Sequence, residues 1–177
     1  LDAPTISVAT PSVSCPGAPV SLAATGSTGT WEWSIADGSL VGSAQDLNID
    51  FQVTTTLQVQ VIDDCQNTAT TQVTVPIEAM PTVDAGTNVV LCEGLSTQLQ
   101  VDVTGTYADV LWTTLDGVIT GSSISPIIQT SAEGTYTATI TTALGCEYSD
   151  NVFVDEVPLP TINIVADTDV CAGQPHA

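Results

Sequence analysis

The sequence predicts an all-β protein made of small sandwiches set end to end, and three observations predict it. Polar and apolar residues alternate with a period of two, as in Thr56-Leu57-Gln58-Val59-Gln60-Val61-Ile62, the pattern of a strand with one buried face. Val and Thr dominate the composition, and both are β-branched residues at home in strands. The chain also repeats itself. Pro4-Thr5-Ile6 leads to Cys15-Pro16-Gly17, Pro81-Thr82-Val83 to Cys92-Glu93-Gly94, and Pro160-Thr161-Ile162 to Cys171-Ala172-Gly173; a fixed period of this kind marks a modular array.

Taken in order, the strand candidates of the first repeat are Ile6–Ala9, Val20–Ala24, Thr30–Ile35, Leu47–Phe51, Thr56–Ile62 and Gln72–Val75. Clusters of Gly, Pro, Asp and Ser separate them. In the second repeat the clearest run is Thr135–Ile140. Asp37-Gly38 and Asp116-Gly117 read as turns that join antiparallel strands. About seven short strands in each repeat fit an immunoglobulin-like sandwich. Trp33 and Trp112 stand 79 residues apart, where such a fold buries a Trp on its third strand, and Tyr136 sits where it carries a tyrosine corner. The expected organisation is a first module over 1–78, a second over 79–158 and the opening of a third over 159–177, which makes the chain a stretch of a longer array. The joints Val75-Pro76-Ile77-Glu78-Ala79-Met80-Pro81 and Val157-Pro158-Leu159-Pro160 are short and bounded by Pro, which stiffens a linker.

Charge narrows the function. Among 177 residues there are 20 Asp plus Glu, one His and no Lys or Arg, for a net charge of −20. Without cations the chain cannot neutralise nucleic-acid phosphates or bind anionic lipid electrostatically. No salt bridge between side chains of Lys or Arg and a carboxylate can form, so acids must be solvated, hydrogen-bonded or bound to cations. Disorder needs low hydrophobicity as well as charge, and here 43% of residues are hydrophobic. No apolar run approaches the ~18 residues of a membrane span.

The five cysteines are expected to form two pairs inside modules, Cys15–Cys65 and Cys92–Cys146, with Cys171 left for a partner outside this sequence. Loops of that length stabilise by roughly 4 kcal/mol in the chain-entropy estimate, and each bond would clamp one pole of its module. No Cys-x-x-Cys is present and the single His, His176, is remote from the paired cysteines, so metal or redox chemistry is disfavoured.

Catalysis finds no support. His176 lies in the unfinished third repeat, so no Ser-His-Asp or Cys-His set assembles within one module. Adjacent carboxylates such as Asp63 and Asp64 point to opposite faces of a strand, unlike the facing pair of a glycosidase. No cofactor is certain. Calcium is the candidate ion, because carboxylates without cationic partners suit a hard cation. Its candidate ligands are Asp63 with Asp64, Asp155 with Glu156, and Asp167 with Asp169, set against the plainer reading of a solvated acidic surface. Trp31 is a candidate platform for sugar, set against core packing, whose parity it shares with Trp33. The Thr-rich runs Thr54–Thr56 and Thr137–Thr142 read as outward-facing strand residues.

The repeated Cys-x-Gly, Trp-x-x-x-Asp-Gly and the run from Gly134 through Tyr136 to Cys146 resemble the Ig-like or PKD-like repeats of giant Bacteroidetes cell-surface proteins, including gliding-motility adhesins of the SprB type. The resemblance covers the whole chain and is closer in the second repeat; the first has Leu57 where the second has Tyr136. It implies an extracellular, bacterial cell-surface filament or adhesin exported by the type IX system. Its partners would be neighbouring Ig-like modules, with surface polysaccharide or other fibre subunits as further partners. The rival functions are a polysaccharide-binding accessory module and a polymerising fibre subunit that exchanges strands.

Overall fold

The computed structural model describes residues 3–164. Among them there are sixteen strands and no helix. The first nine elements of interest are β1 (Ile6–Val8), β2 (Pro19–Gly26), β3 (Thr30–Ile35), β4 (Leu40–Gly42), β5 (Asp46–Asp50), β6 (Thr55–Ile62), β7 (Thr68–Val75), β8 (Thr82–Asp84) and β9 (Val89–Cys92). They are followed by β10 (Thr97–Gln100), β11 (Asp102–Thr104), β12 (Asp109–Thr114), β13 (Ile119–Thr120), β14 (Ile127–Thr130), β15 (Gly134–Thr141) and β16 (Glu147–Val157). The expected strands all appear, several of them longer than alternation alone marks out.

Two separate cores form, and the period-two pattern explains both. In the first, sheet β1-β2-β5 packs on sheet β4-β3-β6-β7. Val20, Leu22 and Ala24 of β2 meet Trp31 and Trp33 of β3, Leu57, Val59 and Val61 of β6, and Val73 and Val75 of β7. In the second, sheet β12-β15-β16-β9 packs on sheet β10-β14-β13, and β8 pairs with β11. Its centre is Leu99, Trp112, Ile128, Tyr136, Ala138, Ile140, Val152 and Val154. Each fully buried aliphatic side chain of this kind contributes roughly 1.5–3 kcal/mol.

The last two long strands of each sandwich repeat in register. β6 meets β7 with Thr55 opposite Val75 and Ile62 opposite Thr68, and β15 meets β16 with Gly134 opposite Val154 and Thr141 opposite Glu147. Each of these positions is 79 residues from its counterpart. The connecting turns therefore have the same length, 63–67 and 142–146, and the same closing bonds. Asp63 N–H donates to Asn67 O and Thr142 N–H to Cys146 O.

The Asp-Gly turns behave differently. Asp37-Gly38 joins antiparallel partners, because β4 pairs with β3 and the Asp37 carboxylate accepts Ser39 N–H at 2.8 Å. Asp116-Gly117 does not: β13 leaves the sheet of β12 and pairs with β14. Tyr136 supplies the reason. Its hydroxyl accepts Val118 N–H at 3.0 Å, donates to Ala132 O at 2.9 Å and contacts the Thr130 hydroxyl. A Cβ on Gly117 would lie 2.3 Å from that hydroxyl, so only Gly lets the chain pass this close. In the first sandwich the same strand position holds Leu57, which has nothing to offer a backbone amide, and β4 stays on β3.

Tyr136→Phe removes these contacts while keeping the ring, and leaves Val118 N–H without that acceptor. The second sandwich should lose about 1–3 kcal/mol, with faster hydrogen exchange at the Val118 amide and none of this change in the first sandwich. Urea unfolding together with amide exchange would check it.

Candidate functional site

The feature with chemistry to explain is the joint between the two cores. Its first-sandwich side is one copy of an arrangement that recurs at the outer pole of the second sandwich. In each repeat a Cys-x-Gly turn closes with the same bond, Ala18 N–H to Cys15 O and Leu95 N–H to Cys92 O, both 3.1 Å. Gly17 and Gly94 take φ of 73° and 80°, a left-handed conformation that Gly adopts without steric cost. Beside each turn the chain runs parallel to the last strand of its own sandwich: Ser14 bridges Ile77, and β9 pairs with β16.

The joint itself is then fixed on both sides. Ile77 is buried in the first core. Its N–H donates to Thr54 Oγ1 at 3.0 Å, and the same hydroxyl donates to Ile77 O at 3.1 Å. Glu78 N–H donates to Ser14 O at 2.9 Å, so Glu78 projects from a held backbone. Across the joint, the buried Thr142 donates its hydroxyl to Glu78 Oε2 at 2.8 Å and accepts Cys146 N–H at 3.2 Å. Tyr148 lies in the same place. Burial first, and then the Glu78 carboxylate beside it, raises the pKa of its phenol.

At this point the structure corrects the expected disulfides. Cys15 is bonded to Cys146, with their Cα atoms 5.7 Å apart, whereas Cys65 and Cys92 are free and exposed. The bond ties one sandwich to the other, so neither Cys15–Cys65 nor Cys92–Cys146 forms. The reason is the length of the strands between. Cys15 precedes β2 and lies at the pole facing the second sandwich. Cys65 lies in the turn joining β6 to β7, and the eight residues of β6 carry the chain to that turn from the opposite pole. At about 3.3 Å per residue this separation far exceeds the ~7 Å Cα limit for a disulfide. Cys146 occupies the corresponding turn of the second sandwich, which is the one that abuts Cys15. Cys171 lies outside the described residues.

A bulky thiol reagent applied without denaturant should therefore modify Cys65 and Cys92 and spare Cys15 and Cys146 until a reductant is added. Peptide mass mapping would check this; labelling at Cys15 or Cys146 before reduction would contradict the bond.

The other candidate residues are placed as follows. Asp63 is engaged by its own turn: Oδ1 accepts Cys65 N–H and Asn67 N–H, each at 2.8 Å, and Oδ2 accepts Asn67 Nδ2 at 3.0 Å. Bonds from the Asn67 side chain, then from its backbone and that of Cys65, lower the carboxyl pKa from the ordinary Asp value. A lowered folded pKa contributes stability above the unfolded value that is lost as pH falls through the folded one. Protection of the Cys65 and Asn67 amides, measured relative to their intrinsic exchange rates, should hence fall on acidification below about pH 4, and Asp63→Asn should weaken that dependence. Asp155 is exposed and its neighbour Glu156 half-buried on β16, so the two sit on opposite faces of one strand. Asp64 lies at the turn beside Asp63, and Asp167 and Asp169 fall outside the described residues. Among the described residues, the place where three ligand-type atoms come within 4.8 Å is Cys15, Glu78 and Cys146, and two of these are the disulfide sulfurs.

Trp31 is 5% exposed and packs in the first core, which corrects the sugar-platform reading: a stacking surface must face solvent. Trp33, Trp112 and Tyr136 are 0–1% exposed. Of the two residues that meet across the joint, Glu78 stands in the Pro-bounded segment that the sequence marks as a joint. Thr142, expected to face outward with the Thr-rich run 137–142, is instead 3% exposed and turned toward Glu78.

Comparison with known proteins places the fold. No family model matches the chain, and no curated protein matches it. Among solved structures, the chain is similar to the eight N-terminal Ig domains of the Down syndrome cell adhesion molecule, at 14% identity and a TM-score of 0.54. That likeness covers 86% of this chain and 23% of the other. It is also similar to the two Ig domains of DIP-gamma, at 11% identity and a TM-score of 0.50, covering 88% of this chain and 98% of the other. These likenesses show an immunoglobulin-like fold.

Proposed function

We propose that this chain is a structural segment of an extracellular repeat protein, a stalk or filament whose immunoglobulin-like modules, over 1–78 and 79–158, hold an adhesive surface protein at a distance. The single observation that carries this reading is the Cys15–Cys146 bond, which spans two cores rather than stabilising one. A disulfide requires an oxidising compartment, which supports an extracellular location. Together with the Glu78–Thr142 bond it restrains both bending and twisting at the joint, as a rod requires and a flexible pair of binding domains does not. The absence of Lys and Arg suits an exposed fibre, because it leaves no side chain for a trypsin-like protease to recognise. The bacterial cell surface and type IX export follow from the sequence resemblance and belong to the same proposal.

Small-angle scattering of the whole chain before and after reduction tests this. The oxidised chain should scatter as one elongated body with a fixed maximum dimension, and the reduced chain should show a broader distribution of dimensions. Identical, broad distributions in both states would remove the rod reading.

A further inference from the structure

The disulfide of the joint lies against a carboxylate. An oxygen of Glu78 and the sulfurs of Cys15 and Cys146 all lie within 4.8 Å of one another. Glu78 is held beside them at both ends: its N–H donates to Ser14 O, and its Oε2 accepts the buried Thr142 hydroxyl. Cys146 is 5% exposed, and Cys15 and Glu78 are half-buried. The charge thus stands in a partly desolvated place, where it acts on the sulfurs more strongly than it would in water. Tyr148 already feels it, since burial first and the Glu78 carboxylate second raise the pKa of that phenol.

No Lys or Arg side chain offsets this carboxylate, because the chain has none. The other carboxylates toward the joint are Asp50, opposite Pro19, Asp84 opposite Asp102, and Asp109 and Glu147 on either side of Thr141. All of them are exposed, so salt screens their reach. Among the described residues, Glu78 is the acid placed within 4.8 Å of both sulfurs. The two repeats supply an internal comparison. Counting from the joint prolines Pro81 and Pro160, the position of Glu78 is taken at the outer pole of the second sandwich by Val157, where Cys92 is free. The acid stands at the pole that carries the bond.

We propose that the Glu78 carboxylate is an electrostatic guard of the Cys15–Cys146 bond, turning away anionic thiols as reductants so that the joint, once closed, stays closed among them. The proposal rests on the rod reading above and adds what preserves the rod. A small thiol reduces a disulfide through its thiolate. Cys15 is the less buried partner, so the incoming thiolate bonds to its sulfur and the Cys146 sulfur leaves as thiolate. A second thiolate then bonds to the first at the mixed disulfide and expels the Cys15 sulfur. One protein disulfide is reduced to two thiols, two small thiols are oxidised to one disulfide, and their two protons pass to Cys15 and Cys146. In the first step negative charge enters at Cys15 and departs on Cys146, and both sulfurs face Glu78. A fixed negative charge opposes the attacking anion and the leaving thiolate alike. The opposition grows with any further negative charge that the reductant carries.

The test uses the whole chain carrying Cys65→Ser, Cys92→Ser and Cys171→Ser, so that the joint bond alone is reduced. Mercaptoethanesulfonate, mercaptoethanol and cysteamine, which carry an extra negative charge, none and a positive one, are compared at equal thiolate concentration. Salt at roughly 0.5 M screens the general field of the acidic chain. The released Cys15 and Cys146 thiols are trapped with a maleimide and followed in time. Cysteamine should be faster than mercaptoethanesulfonate by roughly tenfold or more. Glu78→Gln, which keeps an oxygen for the Thr142 hydroxyl, should narrow this spread severalfold by accelerating the sulfonate most. Glu147→Gln removes an exposed charge beside Cys146 and should leave the spread unchanged. If Glu78→Gln were reduced faster by all three thiols alike, the residue would act by packing and not by charge, and the proposal would be overturned. An unchanged spread in Glu78→Gln, or an equal narrowing in Glu147→Gln, would overturn it as well. Scattering compares the two redox states and does not depend on how fast one becomes the other, so the rod reading stands or falls separately.

Discussion

Pulled from its two ends, the oxidised chain should release far less length than its size allows. The bonded cysteines are 131 residues apart, and a fully extended chain spans at most about 3.3–3.6 Å per residue. The intact bond thus withholds roughly 450 Å of contour length. Tension entering at β1 crosses from Cys15 directly to Cys146 and leaves through β16, bypassing most of both cores. Single-molecule extension in oxidising buffer should show only short unfolding steps from the segments outside 15–146. Reductant, or Cys15→Ser, should expose the whole length as two further steps, one per sandwich. Equal release with and without reductant would mean that the bond does not carry the tension.

Removing a core Trp should unfold one sandwich and leave its neighbour standing. Trp33 and Trp112 are the largest fully buried side chains, and truncation of such a residue to Ala costs about 3–5 kcal/mol. That is a large share of the 5–15 kcal/mol typical of a whole domain. The two indoles differ in one respect: Trp33 Nε1–H donates to Ala44 O at 2.8 Å, while Trp112 Nε1–H is buried without a partner. Trp33→Ala therefore also strands a carbonyl, and should be the more damaging of the pair. In Trp112→Ala, the fluorescence of Trp31 and Trp33 reports on the first sandwich alone. It should melt near its normal temperature while the second sandwich melts early or is unfolded at the outset. A single shared transition in both variants would show that the joint fuses the cores into one cooperative unit.

The fold was legible because its information is local. Alternation in β2, β6 and β15 marks which side chains are buried, and the buried sets follow it residue by residue. The short strands were harder: β4 and β13 have three and two residues, too few for a periodic signal, and their choice of sheet depends on whether the facing strand carries Leu57 or Tyr136. The joint was legible only in part. Pairing by sequence proximity favoured Cys15 with Cys65, since both belong to one repeat. Disulfides, however, join what is near in space, and the two turns of one sandwich point to opposite poles. Five cysteines at a fixed period carry no label saying whether a bond stays within a period or crosses between two.

The joint also sets an order of events during synthesis. Cys15 emerges long before Cys146, and Cys65 and Cys92 appear between them as nearer partners in the sequence. Domains generally fold from the N-terminus as the chain is made. Once β6 and β7 pair, Cys65 is carried to the far pole and removed from competition; once β9 pairs with β16, Cys92 is held at the outer pole of the second sandwich. Shape thus comes first and the covalent bond records it. A chain oxidised while unfolded should trap wrong pairs, which a thiol–disulfide isomerase or a low concentration of reductant would be needed to release, whereas a chain folded reduced and then oxidised should close Cys15–Cys146 alone among these four.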